Sequence, residues 1–276
     1  MQSNNPALRR SAEFSANSNA QTGYTDPSSW GTGTPGQPGV QTPVATGGPM
    51  TVDSVVQKTA ISVGLVMIVA AATWAMTPAI DPDTNADLGP LIALMTIGSL
   101  GAFGLSLVNS FKRVISPVLV LAFAALEGLA LGGLSKFFDA IYGDHIVMQA
   151  VIGTFAAFAG TLAAYKFFDI QVGNKFRTFV IAAMFGMVGL GLLEMVLSAF
   201  GNSTGIFGFG SAGLLFAAAG LVLGVFMLIL DFDFVEKGVA AGLPERESWR
   251  AAFALTVSLV WIYTNLLRLL AILNSD

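Results

Sequence analysis

The stretch "ISPVLVLAFAALEGLALGGLSKFF", residues 115–138, decides the fold. It is a continuous apolar run with one acidic residue inside it, Glu127, and one basic residue near its end, Lys136. An α-helix rises about 1.5 Å per residue, so about 20 apolar residues cross the ~30 Å hydrocarbon core of a bilayer. The run does not alternate between apolar and polar residues, as a strand of a membrane barrel would. It therefore predicts a transmembrane helix.

Six further stretches have the same length and character, so we predict an all-α membrane protein with a bundle of seven transmembrane helices. The composition agrees, because 54% of the residues are hydrophobic and 11% are charged, whereas soluble domains carry about 25% charged residues. The 31 glycines fit the close helix packing of membrane bundles. The predicted spans are 57–79, 90–111, 115–138, 145–167, 178–200, 210–231 and 250–273.

The first fifty residues differ in composition from the rest of the chain. They are rich in Gly, Pro, Ser, Thr and Gln, and such segments contain too little apolar surface to offset the entropy of ordering. We predict that residues 1–50 form a disordered tail and that residues 51–276 form the transmembrane domain. Arg9 and Arg10 are not followed by an apolar run, so the start does not resemble a signal peptide. Thr51 is a plausible N-cap for the first helix.

Basic residues are distributed unevenly between the two sides of the predicted bundle. The N-terminal side and the alternate loops hold Lys58, Lys112, Arg113, Lys166, Lys175, Arg177, Lys237, Arg246 and Arg250. The opposite loops hold Lys136 alone, together with several aspartates. By the positive-inside rule this bias predicts a cytoplasmic N-terminal tail and a C-terminus outside, in a bacterial inner (plasma) membrane.

Several classes of site are excluded or disfavoured by residue content. The chain has no cysteine, which excludes disulfides and thiolate sites, and a single histidine, His145, which argues against a histidine metal centre or a catalytic triad. It has no phosphate loop, no GxSxG elbow and no HExxH motif. We therefore expect no enzymatic activity, no cofactor and no metal site. No basic run suggests nucleic acid as a partner.

Three charged residues lie well inside the predicted spans, away from the span ends. Glu127 is about 18 Å along the third span, while Glu194 and Arg268 are about 24 Å and 27 Å along theirs from the cytoplasmic side. Charge at membrane depth is costly and usually finds a partner. The similar depth of Glu194 and Arg268 predicts an intramembrane ion pair, either direct or bridged by water, or else that each side chain faces a polar cavity rather than lipid. Snorkelling of each side chain is a further alternative.

Two acidic residues lie at the predicted end of the sixth span. Asp231 and Asp233 occur in "LILDFDFVEKGVAAG", and acidic groups at a helix C-terminus face the negative end of the helix dipole. If they are partly buried there, they are candidates for a response to protons or cations. If they are hydrated, they do no more than end the helix.

Five segments, taken in order and combined with the seven spans, are typical of one membrane-protein family. The segments are "MTVDSVVQKTAI" (50–61), "SPVLVLAFAALEGLALGGLS" (116–135), "QAVIGTFAAFAGT" (149–161), "LDFDFVEKGVAAGLP" (230–244) and "VSLVWIYTNLLRLLAIL" (257–273). With them the chain resembles, over residues 51–276, the bacterial branch of the Bax inhibitor-1/YccA-like (transmembrane Bax inhibitor motif) family.

The resemblance implies a bundle whose C-terminal helix is central and is surrounded by the other six. Several family members behave as pH-sensitive calcium leak channels, in which two aspartates near the cytoplasmic mouth share a proton. Asp231 matches the first of these aspartates, with Asp233 close by. Ser258 stands where the leak members have the second aspartate, and Asn265 stands further along, where glutamate is common. The carboxylate pair is therefore absent from this chain.

Two functions from different classes follow from the resemblance. The first is a leak pathway for Ca²⁺ or H⁺ gated near the cytoplasmic end, with Asp231 as its main ion- or proton-sensing group and Asp233, Ser258, Asn265 and Glu127 as further polar lining. The second is modulation of an FtsH-type membrane protease or of a stress response through the N-terminal tail, as in YccA-type members, which also carry serine at the second position. The bilayer is the common partner of both.

Overall fold

Seven helices account for most of the described chain, which comprises residues 48–80, 88–143 and 145–275 of a computed structural model. In chain order they are α1 (Val52–Met76), α2 (Gly89–Phe111), α3 (Pro117–Tyr142), α4 (Ile146–Phe167), α5 (Asn174–Ala199), α6 (Ser211–Ala240) and α7 (Glu247–Leu273). All seven are long and apolar enough to cross a membrane. The predicted class is therefore confirmed. Of the disordered tail predicted at residues 1–50, residues 1–47 lie outside the described residues.

Local sequence signals set several helix ends. Thr51 caps α1, because its side chain accepts a hydrogen bond from the backbone N–H of Ser54 (3.1 Å) while Ser54 Oγ accepts one from the N–H of Thr51 (3.2 Å). Such a reciprocal pair satisfies two N–H groups that the helix leaves free. Pro117 occupies the first position of α3, where proline costs no hydrogen bond. Gly242, with φ +63°, follows the end of α6 in the left-handed region.

The C-terminal helix α7 occupies the centre of the bundle. Its backbone lies close to those of α1, α3, α4 and α6, whereas among the described helices the backbone of α2 approaches only that of α3, and the backbone of α5 only that of α6. Its buried residues are distributed around the whole helix, from Ser248 to Ile272. The C-terminal helix is therefore central, as the resemblance implies. α2 and α5 form an outer layer, and their backbones do not approach that of α7.

Two glycines show how closely the helices approach each other. A Cβ on Gly132 of α3 would lie 2.5 Å from the carbonyl oxygen of Ala70, so α1 and α3 can approach only because that atom is missing. Gly220 of α6 similarly makes room for the amide of Asn265 on α7. Small residues at such positions are typical of helix contacts in membranes.

Alternate helices run in opposite directions, which divides the bundle into two ends. We call the end where α1, α3, α5 and α7 begin the proximal end, and the other the distal end. At the proximal end the segment 48–50 lies antiparallel to the α6–α7 turn. Met50 N donates to Leu243 O (2.6 Å), and Glu245 N donates to Gly48 O (2.9 Å). Met50 is buried against Gly238, so the start of the described chain is fixed to this turn.

The sixth helix is longer than the sequence indicated. Its predicted span ended at Asp231, but α6 continues to Ala240, which places Asp231 and Asp233 inside the helix rather than at its C-terminus. The helix continues because Asp233 pairs with Lys237 one turn later and with Arg177 of α5, so its charge is compensated. The helix-dipole argument for Asp231 is therefore wrong, since the dipole acts only within the last turn.

Candidate functional site

The centre of the candidate site is a contact between α6 and α7. Ser258 Oγ donates a hydrogen bond of 2.5 Å to Asp231 Oδ2. Ser258 is fully buried and Asp231 is partly buried. No described cation lies within ion-pair distance of the Asp231 carboxylate. The structure thus brings together the two residues that the resemblance aligned with the carboxylate pair, one of them as a hydroxyl.

Asp233, two residues later, has a different environment. Its carboxylate forms ion pairs with Lys237 Nζ (2.6 Å) and Arg177 Nη2 (3.1 Å), and the residue is buried while both cations are about half exposed. Two cations therefore already neutralise Asp233, which leaves it little capacity to bind a further cation. It fixes the proximal end of α5 to α6.

The polar contacts continue from Asp231 along the α6–α7 interface toward the distal end. Trp261 Nε1 donates to the carbonyl of Gly220 (2.8 Å), and Asn265 Nδ2 donates to the carbonyl of Trp261 (2.8 Å). Residues 258, 261, 265 and 268 of α7 lie on one face, because residues three and four apart are neighbours on a helix. We call Asp231, Ser258, Trp261, Asn265 and Arg268 the α6–α7 seam. Its α7 part is about 15 Å long.

Glu127 lies on the side of α3 that faces α7. Phe123, one turn earlier, packs edge-on against Phe253 of α7 (ring centroids 5.0 Å apart), and Ser135, two turns later, contacts Tyr263 of α7 (2.6 Å). Glu127 therefore lies between these two levels of α7, as Ser258 does. Its carboxylate has no hydrogen-bond or ion-pair partner within the described chain, so the structure does not connect it to Asp231.

Glu194 and Arg268 are both held by the connection between α5 and α6, and they do not form the expected direct ion pair among the described residues. Glu194 accepts hydrogen bonds from Ser203 Oγ (2.6 Å), from Thr204 N (2.9 Å) and Oγ1 (2.5 Å), and from Gly205 N (3.3 Å).

The guanidinium of Arg268 donates to the carbonyls of Ile206 and Gly208 and lies over the rings of Phe207 and Phe216, 5.1 Å and 5.6 Å from the centroids. The expected ion pair does not form because N–H and O–H groups of the loop satisfy Glu194, while carbonyl groups of the loop satisfy Arg268. Depth along a helix could not reveal either set of partners.

Sequence reasoning also missed polar pairs that tie helices together at the proximal end. Tyr165 of α4 donates to Glu236 of α6 (2.5 Å), and Lys58 of α1 pairs with Glu245 of the α6–α7 turn (2.9 Å). Lys58 and Tyr165 both occur near the ends of predicted spans, where polar side chains usually reach water, so the sequence carried no signal for these pairs.

The arrangement leaves one partly buried carboxylate, Asp231, with a single hydroxyl partner at the proximal part of the seam. A carboxylate with unused acceptor positions can take up a proton or contribute to a cation site made of oxygen ligands. Buried ionisable groups inside membrane helices mark ion or proton routes by default.

The sequence of the chain also matches a known protein family. The family model described as Bax inhibitor 1 like matches residues 5–275 of the chain. No curated protein matches it.

Proposed function

Because the chain belongs to the Bax inhibitor 1 like family, we propose that it is a passive leak pathway for Ca²⁺, H⁺ or both, gated at Asp231. In this proposal it works without catalysis, in a bacterial inner membrane, with the proximal end in the cytoplasm and the C-terminus outside. The orientation is supported by the basic residues, of which the proximal end carries Lys112, Arg113, Lys175 and others.

The observation that carries the proposal is the Asp231–Ser258 contact. Asp231 lies about 13 Å from the proximal end of α6, counted from Ala240, and only one hydroxyl compensates its charge. Its neighbour Asp233 already forms two ion pairs, which argues against a sensing role for it. The proton or cation that completes the Asp231 site controls access to the seam beyond it, which Asn265 and Trp261 line.

A leak gated by one carboxylate responds to pH differently from one gated by two. Two close carboxylates titrate as a coupled pair, because the charge of one opposes ionisation of the other. Ser258 cannot supply that opposition. We therefore expect the flux of this protein to vary less steeply with pH than that of relatives with two carboxylates.

The test is Ca²⁺ flux into dye-loaded liposomes, at several pH values, for the full-length chain and for Asp231→Asn and Ser258→Asp. Asp231→Asn should lower the flux by roughly tenfold, because an amide binds divalent cations far more weakly than a carboxylate does. Ser258→Asp restores a pair of acids and should steepen the pH dependence.

Asp169→Asn is the matched control for this test. It makes the same change of charge at an exposed residue of the proximal end, and its backbone, with φ +48°, suits asparagine. Its flux should equal that of the wild type. If wild type and Asp231→Asn both match empty liposomes at every pH, the leak proposal fails.

The second candidate is modulation of an FtsH-type membrane protease, or of a stress response, through the N-terminal tail. It is favoured by the fixed position of residues 48–50 on the α6–α7 turn, which connects the tail directly to the helices of the seam. Deletion of residues 1–47 separates the candidates. It should abolish protease modulation in cells and leave liposome flux unchanged if both roles exist independently.

A further inference from the structure

A cavity of about 380 Å³ lies on the opposite side of α7 from the seam. Its floor is formed by Thr256, Leu259 and Tyr263 of α7 and by Leu131 and Ser135 of α3. Its two walls are α1 and α4. Ligand sites in helical proteins commonly have this size and occur between helices. None of the residues assigned above to ion or proton sensing lines it.

The cavity opens sideways, toward the position of the lipid. Its two walls, α1 and α4, do not pack against each other in the described chain, so a gap separates them along the outer surface. The residues at the rim are partly exposed and apolar, including Met67 (49% exposed) and Phe155 (45%). The rim continues into the apolar outer surface of the bundle at Ile68 and Ile152.

The dimensions of the cavity correspond to one leaflet of a bilayer. Along α1 it extends from Val63 to Trp74, a rise of about 16 Å, which is roughly half of the ~30 Å hydrocarbon core. Trp74 lies near the distal end of α1, where Lys136 Nζ donates to its carbonyl (2.8 Å). Tryptophan and lysine at a helix end are typical of the headgroup region, so the cavity extends from that region to mid-membrane.

The hydroxyl groups in the lining do not require a polar ligand. Thr154 donates to Ala150 O and Thr256 donates to Ala252 O, each at 2.7 Å. Ser135 donates to Leu131 O (2.5 Å), which leaves Tyr263 as the donor to Ser135 (2.6 Å). All four hydroxyl protons are thus used inside the protein. Water or a sugar would find few donors here, and apolar cavities of this kind admit apolar guests.

From these observations we propose that the cavity between α1 and α4 binds one acyl chain of a bilayer phospholipid, with its headgroup at the distal end beside Trp74 and Lys136. The hydrocarbon lining, the lateral opening and the one-leaflet length all match that occupant. The site is independent of the leak proposal, because it lies across α7 from the seam.

The test uses the full-length chain in lipid nanodiscs that contain phosphatidylglycerol with a photoreactive diazirine on one acyl chain. After irradiation, adducts are mapped by mass spectrometry. Only a chain inside the cavity reaches Thr256 and Leu259, which are 1% and 7% exposed. We expect adducts on α7 residues 256–263 as well as on the outward face of α2, for example at Ile97, which is 60% exposed.

Two neighbouring alanines provide a matched pair of variants. Ala71 lines the cavity, whereas Ala72 does not, and both are exposed. Ala71→Phe should lower the α7 adducts about tenfold, because a ring then fills the space of the chain, and should leave those on α2 unchanged. Ala72→Phe should change neither.

Adducts confined to outward-facing residues in the wild type would overturn the proposal, and so would equal α7 labelling in the two variants. A second copy or a partner helix in the gap would shield α7 from lipid, and adducts would then be confined to outward-facing residues. The distribution of adducts in the wild-type protein tests the proposal by itself, so the test does not depend on how well a variant folds.

Discussion

At the residue scale, three acids of the described helices differ in their partners. Asp233 has two cations, Glu194 has loop donors, and Asp231 has one hydroxyl. Because uncompensated charge in hydrocarbon costs several kcal/mol, the first two stabilise the fold. Of these three acids, Asp231 is the one whose charge is least compensated, and this difference is the basis of the proposal that it gates the pathway.

The binding of Glu194 leads to a prediction about the connection between α5 and α6. Glu194→Gln replaces an acceptor of several hydrogen bonds by an amide whose NH₂ group opposes the loop donors. We expect a loss of about 1–3 kcal/mol, since hydrogen bonds to charged groups are worth more than neutral ones. Thermal unfolding in detergent measures the loss, and protease cleavage between residues 200 and 210 should become faster.

Asn202→Ala is the control in the same loop. Its side chain is exposed and makes one long contact, of 3.4 Å, to Phe200 O. It should unfold at the wild-type temperature. A Glu194→Gln protein as stable as this control would show that the loop contacts contribute nothing.

At the element scale, hydropathy predicted that seven helices exist but not where they end or what they contact. The span around Glu127 was predicted at 115–138 and is observed at Pro117–Tyr142. For α6 the prediction stopped at Asp231, because the polar residues after it resemble a loop. Their compensation comes partly from Arg177 of another helix, and a partner distant in sequence leaves no periodic signal. The gap between α1 and α4 could not be predicted either, because it depends on contacts between helices, and such contacts leave no signal in the hydropathy of a single helix.

Contacts between elements also explain which glycines matter. Gly220→Ala would place a methyl group on the Asn265 amide and push α6 from α7. We expect destabilisation of about 1–3 kcal/mol, the usual cost of overpacking. Gly186→Ala on α5 meets no atom within 4 Å, so it should leave stability unchanged or raise it slightly. Unfolding temperatures of the two variants measure the contrast, and equal values would contradict the close α6–α7 approach.

At the scale of the whole molecule, the two ends of the described bundle differ in charge. The proximal end carries most of the basic residues and the contacts among α1, α6 and α7, such as Lys58–Glu245. The resemblance in the sequence was sufficient to predict the family, and the family match confirms it. Orientation rests on charge bias alone and therefore needs its own experiment.

Because the chain contains no cysteine, single cysteines can report orientation without background. Ala241→Cys and Asn202→Cys place exposed thiols at the proximal and distal ends. A membrane-impermeant maleimide added to intact spheroplasts should label Asn202→Cys and should label Ala241→Cys only after lysis. Labelling of both before lysis, or of Ala241→Cys alone, would reverse or refute the proposed topology.

The docking of residues 48–50 also determines how the molecule responds to tension. A motor that pulls on the N-terminus loads the Met50–Leu243 and Glu245–Gly48 hydrogen bonds before it can unwind α1. The bridge pairs Pro49 with Pro244. It stays short because α1 begins at Val52 on one side, while α6 ends at Ala240 and α7 begins at Glu247 on the other. Mechanical work done on the tail is therefore delivered first to the turn that joins the two helices of the seam.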